Sequence, residues 1–322
     1  MAALTQSPCP TKFVGDMVDM LLSSQDSVEF QLKQGQTLIL KETYNPSGGS
    51  IRVSGLDRVI DTCLYGELKN SGGQDHLSGS FDFLVDDTSV LTASLYASHL
   101  LNIFDPSGAK RILSHGLCDV CHPGKAHPLT FIGSGTAKLY NTAGTQIGSS
   151  VSVGSSGSVY TSNCDPAALF PNNYADGAKI VYTCGTDTFT SYIDHHSYPD
   201  GTLFRFLNMY DAPETLLAKS AMTVKPQSTD DIGTTYGEDR KYNIEQGDEY
   251  TVESGSLHTR DAYAQWRDLV MSRRVEVLWN GLWFPVIITK PNYTQTLRKG
   301  SFGIVGFTFR MARQRDNGTI TS

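Results

Sequence analysis

The run Val305-Gly306-Phe307-Thr308-Phe309-Arg310-Met311 sets large apolar side chains against small or polar ones at every second position. Successive side chains of an extended chain point to opposite faces, so a run of this kind buries one face of a sheet and leaves the other polar. Val28-Glu29-Phe30-Gln31-Leu32 repeats the pattern, and Thr37 to Lys41 follows as a second run. Turn chemistry separates such runs. Asn45-Pro46-Ser47-Gly48-Gly49 is one turn, and Asn280-Gly281 between Trp279 and Leu282 is a hairpin signal. Strands are also predicted over Ser80 to Asp86, Ser89 to Tyr96 and Glu249 to Glu253, and Lys179 to Tyr182 with Phe189 to Ile193 reads as a hairpin across Gly185.

Helical spacing is scarce. Val59, Ile60, Cys63 and Leu64 fall at helical intervals. Residues 261–272 form the best helix, with Ala262, Trp266, Leu269 and Val270 on one stripe. Thr259 is placed to cap it, while Asp261 and Arg273-Arg274 suit the two ends of its dipole. No strand–helix–strand rhythm occurs, which argues against a doubly wound enzyme fold. The expected class is mainly β, with two or three β-sandwich or β-barrel modules and one or two short helices. The modules are placed at 1–105 (sandwich-like), 106–200 (rich in Gly and Ser) and 201–322 (split-barrel-like, with the helix). Gly133 to Ser158 reads as small strands with tight turns rather than a linker, because apolar residues punctuate it regularly. The polar stretch Gln227 to Asp239 reads as a long exposed loop and a natural inter-subunit arm.

Charge narrows the partners. Charged residues are 18 % of the chain, below the roughly 25 % of ordinary globular domains, so the surface leans on Gly, Ser, Thr, Asn and Tyr. The net charge is −7 and the densest basic cluster is only Arg310, Arg313 and Arg315, which argues against direct nucleic-acid binding. No stretch of about twenty apolar residues exists, so no membrane span is expected. Met1 to Pro10 lacks the basic start and apolar centre of a secretory signal. The six cysteines are therefore expected as reduced thiols, and the sequons at Asn292 and Asn317 are expected to carry no glycan.

Three groups of residues invite a chemical reading. Cys118-x-x-Cys121 is a half-site for zinc, because two thiolates at that spacing can grip one ion, and His115, His122 or His127 could complete a structural site. The spacing matches no standard finger, and the competing reading is a loop with reduced thiols beside Pro123 and Pro128. Asp194-His195-His196 would suit a metal-dependent phosphoesterase only with further carboxylates from other strands; otherwise it is a strand end turning at Pro199-Asp200-Gly201. Tyr192, Tyr198, Tyr210, Trp279 and Trp283 could form a sugar platform or ordinary packing. Nucleophilic catalysis lacks a motif: Gly154-Ser155-Ser156-Gly157 is out of register for a nucleophile elbow. No catalytic residue and no cofactor beyond the zinc is expected.

Three stretches carry a resemblance. The first is Val28 to Leu32 with Thr43-Tyr44-Asn45-Pro46, Ile51 and Leu56-Asp57. The second is Phe204 to Glu214. The third runs from Tyr242-Asn243-Ile244-Glu245 through Tyr250 to Gly255 and the Trp266 helix to Phe307-Thr308-Phe309-Arg310. In these the chain resembles tail-associated structural proteins of tailed phages and prophages of gut anaerobes. The likeness spans most of the chain and is weakest over the middle, where the Cys/His segment lies. It implies a non-enzymatic virion component, made in the host cytoplasm, that forms a homo-oligomeric ring or tube with other virion proteins. The C-terminal order of strand, helix, Asn-Gly hairpin and strand is similar to distal-tail and tail-tube proteins, an analogy at the level of fold. The rival functional reading is a carbohydrate-binding β-sandwich protein of a cell or particle surface.

Overall fold

A computed structural model describes residues 2–99, 110–235, 238–257, 259–292 and 303–312. The expected module boundary at 105, together with Arg313, Arg315 and the sequon at Asn317, lies outside the described residues. The fold is mainly β. Among the described residues there are four sheets and three short α-helices, α1 (Leu56–Asp61), α2 (Pro166–Leu169) and α3 (Arg260–Met271). The four-residue α2 adds to the one or two helices expected; Asp165 caps it by accepting from the Ala167 N–H, and Pro166 opens it. No helix among the described residues is long and apolar enough to cross a membrane.

The first sheet pair is built from the alternating runs near the N-terminus. Thr37–Tyr44, Val28–Gln34, Ser78–Val85 and Thr88–Tyr96 form an antiparallel sheet in that order. Ala3–Gln6, Met20–Ser23 and Ser50–Val53 form a smaller one. Phe30, Leu32, Phe81 and Phe83 of the larger sheet share one buried core with Met20, Leu22 and Ile51 of the smaller. Leu56 and Ile60 on α1 close this core. Gly66 follows α1 at a point where a Cβ would sit 1.6 Å from the Asp211 carbonyl, so only glycine lets the two segments meet.

The middle sheet orders Gly72–Gly73, Gln146–Asn163, Pro128–Tyr140, Lys179–Cys184, Asp187–Ile193 and Cys118–Cys121. Its Gly/Ser-rich segment is paired strand, with register shifts at Ile132/Ser134 and Ala137/Leu139. Gly154 has φ +72 and would drive a Cβ to 2.2 Å from the Gly133 carbonyl. The 179–193 hairpin forms as expected. The last pair is different in kind, because Cys118–Cys121 runs parallel to Asp187–Ile193.

The third sheet is antiparallel and seven-stranded, in the order Pro213–Ala218, Thr202–Leu207, Val275–Trp279, Leu282–Asn292, Gly306–Met311, Glu238–Glu253 and Thr223–Thr235. Phe204, Phe206, Phe307 and Phe309 are fully buried, and α3 lays Trp266 and Leu269 over them. Asn280 and Gly281 take φ +49 and +78, the left-handed pair that a two-residue hairpin turn demands. The stretch read as a long exposed loop is instead a β-ribbon. Its ladder runs from Thr223↔Thr251 to Thr235↔Glu238, and only Tyr250–Glu253 also pair with Gly306–Phe309. Polar residues hid the strands from a reading based on apolar alternation; backbone pairing does not depend on it.

Candidate functional site

The five residues proposed as zinc ligands do not converge. Cys118 and Cys121 stand three apart on one strand, and at a period of two they face opposite sides of the sheet. The Cys118 thiol points to Asp261 Oδ2 at 3.7 Å, and the buried Cys121 thiol points to the Tyr192 carbonyl at 3.6 Å. His115 Nδ1 lies 2.9 Å from Asp268 on α3. His127 Nε2 lies 3.1 Å from Ser191 Oγ and 3.2 Å from Asp119, inside the middle module. The zinc half-site is therefore not assembled, and among the described residues no group of three His, Cys, Asp or Glu side chains is placed to hold a metal. Burial raises both thiols above their ordinary range, away from the thiolate form a metal would need. All six cysteines are free.

The Asp119–His127–Ser191 cluster is sealed. Burial pushes the Asp119 carboxyl up to about 7 and the His127 imidazole down to about 4, so the neutral forms are favoured at this pair. It is a buried polar contact between two strands and a loop, closed to a substrate.

His122 goes elsewhere, and its destination makes the site. The parallel register sets Ile193 beside Cys121, and the Asp194 N–H donates to the Cys121 carbonyl at 2.9 Å. Parallel neighbours leave a sheet at the same end, so the next residues, His122 and Asp194, emerge side by side. Asp194 Oδ1 accepts from the His196 N–H at 3.0 Å and from His196 Nδ1 at 2.7 Å. Asp194 Oδ2 accepts from Lys219 Nζ at 2.9 Å and from the Tyr198 hydroxyl at 3.0 Å. Burial alone would raise the Asp194 carboxyl; the hydrogen bonds from Lys219, His196 and Tyr198 outweigh it and hold the group well below the usual carboxylate range. Lys219 Nζ also lies 4.8 Å from the centre of the Tyr198 ring.

The His122 side chain is 11 % exposed and stands edge-on to Tyr198, with ring centres 5.6 Å apart. Burial lowers its imidazole to about 4, so the ring is neutral at pH 7, with one N–H and one lone pair. Its Nδ1 is buried with no protein hydrogen-bond partner and lies 3.9 Å from Asp194 Oδ2. A buried polar atom left in this way costs about 1–3 kcal/mol. These groups border a cavity of about 370 Å³, which Tyr174 and Leu217 also line. Leu217 belongs to the edge strand of the third sheet, so the cavity lies where that sheet meets the middle one. His195 is held by a 2.8 Å contact from Nε2 to the Gly177 carbonyl. Asp194 is ionised and fully hydrogen-bonded, which leaves it a poor base, and the Lys219 ammonium occupies the oxygen a metal would take. The arrangement suits binding better than bond cleavage.

The five aromatics do not make one platform. Tyr210 is buried against Phe13, Trp279 packs edge-on to Tyr250, and Trp283 lies under the Arg205 guanidinium at 4.4 Å. Tyr192 is exposed on the middle sheet, and only Tyr198 reaches the cavity. Tyr174 and Lys219 were not singled out from the sequence, where nothing around them forms a motif.

No protein-family model and no curated protein matches this chain. Among solved structures it is similar to the I9-I11 tandem from titin, at 11 % identity over 97 % of this chain and 90 % of that one, with a TM-score of 0.18. A likeness at that score carries no argument about fold or function.

Proposed function

We propose that this chain is a non-enzymatic structural subunit that assembles with copies of itself into a symmetric ring or tube, as a component of a tailed-phage particle. The observation that carries the reading is the ribbon of Thr223–Thr235 and Glu238–Glu253. From Pro226↔Asp248 to its tip its strands pair only with each other among the described residues. That stretch reaches roughly 30 Å at about 3.3 Å per residue. A two-stranded hairpin alone in water is marginally stable, and its outer edges carry unpaired N–H and C=O groups, so a neighbouring subunit is its natural complement. The resemblance to tail-associated proteins supports the phage setting and a place in the virion.

Mass photometry of the purified chain over a concentration series tests the reading, beside a variant in which Asn-Gly joins Ser228 directly to Gln246, residues already paired across the ribbon. The full chain is expected to form one discrete cyclic oligomer, and the shortened chain to stay monomeric with the β-sheet circular dichroism signal reduced only by the deleted ribbon. Equal oligomers from both would rule the ribbon out as the assembly element.

A further inference from the structure

We propose that the cavity bordered by His122, Asp194, Tyr198 and Tyr174 is a binding site for a neutral saccharide of one or two rings, a role distinct from assembly through the ribbon. The size fits, since about 370 Å³ falls at the lower end of small-molecule sites. The place fits as well, because ligand sites gather where two packed units meet. Charge narrows the class of ligand. Asp194 stays ionised and is neutralised by Lys219, so a metal ion would have to displace the ammonium; Lys125 stands on the same lining, which makes inorganic phosphate the competitor that the test must include.

A sugar hydroxyl both donates and accepts, and that is what this rim answers. His122 is a neutral imidazole on the cavity lining, its side chain 11 % exposed and its Nδ1 closed off from solvent. His196, whose side chain is 85 % exposed, is held through Nδ1 by Asp194 and leaves Nε2 facing outward. Tyr198 and Tyr174 line the cavity; Lys219 Nζ lies 4.8 Å from the Tyr198 ring centre, so the C–H face of a pyranose would pack on the ring surface that the lysine leaves. A half-buried imidazole, an exposed histidine, two tyrosines and a neutralised carboxylate thus share one small cavity.

The test uses the full chain and saturation-transfer NMR with methyl glycosides of glucose, galactose, mannose, N-acetylglucosamine and N-acetylgalactosamine, and inorganic phosphate as competitor. At least one glycoside is expected to bind with a millimolar or tighter Kd. Tyr198→Ala and His122→Gln are expected to weaken it by about 10-fold or more. Tyr198→Phe, which keeps the ring, and His196→Ala, at an exposed position, guard against a mere loss of folding and are expected to weaken binding less while the circular dichroism spectrum is unchanged. Tyr192→Ala, on the open surface, is expected to leave binding unchanged. The proposal is overturned if no glycoside in the panel shows transfer, if His122→Gln and Tyr198→Ala bind as the parent does, or if phosphate displaces the sugar and binds alone.

Discussion

Glu214 is a buried carboxyl held far from its ordinary titration range. It is buried where the middle and last spans meet, and the Ser114 hydroxyl donates to its Oε1. Burial is the main cause that lifts its carboxyl from an ordinary 4.5 to about 7, and the nearby Asp268 and Asp119 add to it. Below pH 4.5 the group is protonated both folded and unfolded, and there is no penalty. Between 4.5 and 7 the folded chain holds a proton that the unfolded chain has lost, so stability falls as pH rises, and above 7 the whole loss remains. The shift corresponds to roughly 3 kcal/mol. Glu214→Gln should therefore stabilise the protein at pH 8 by about 2–3 kcal/mol more than at pH 4, measured by urea melts at both values. An equal change at the two pH values would mean that the carboxyl is not perturbed.

At the scale of elements, α3 was legible because its stripe, cap and terminal charges all speak locally. The expected span of 261–272 and the observed Arg260–Met271 differ by one residue, and Thr259 Oγ1 does accept from the Ala262 N–H at 3.0 Å. Thr259→Ala should cost about 1 kcal/mol in a chemical melt, and no loss at all would show that the cap is redundant. The helix also organises the segment once read as a zinc site. Asp261 accepts from the Leu117 N–H at 3.0 Å, Gln265 donates to the Cys118 carbonyl at 3.3 Å, and Asp268 holds His115. The ribbon was the opposite case. Its strands between Gln227 and Asp239 are joined by backbone pairing and carry too few apolar residues for a period of two to show, so the reading ended at an exposed loop.

Across the whole molecule three separate cores are tied to one another by shared residues and hydrogen bonds. The N-terminal core takes in Leu113 and Val159 from the middle span and Met209, Tyr210 and Ala212 from the last, with Phe13 and Tyr210 rings 5.3 Å apart. Arg205 of the third sheet donates to Asn70 at 3.0 Å, and Thr215 of the same sheet donates to the Ala126 carbonyl at 2.7 Å. A scanning calorimetry trace should then show one main transition whose calorimetric and van't Hoff enthalpies agree. Three resolved transitions would mean that each of the three cores folds as its own unit.

The sequence by itself determined the strands that alternate, the Asn-Gly hairpin and the Trp266 helix, since each is written in neighbours two to four residues apart. It also held both halves of the cavity rim, His122 in the Cys/His segment and Asp194-His195-His196 at a strand end. Only the tertiary structure decided that these two belong together and that Cys118 and Cys121 do not. The reason is physical in each case. Which strands pair, and in which direction, depends on contacts distant along the chain, and the parallel register of Ile193 with Cys121 brings His122 to Asp194. The same strand conformation turns two cysteines three residues apart to opposite faces, where no single ion can reach both.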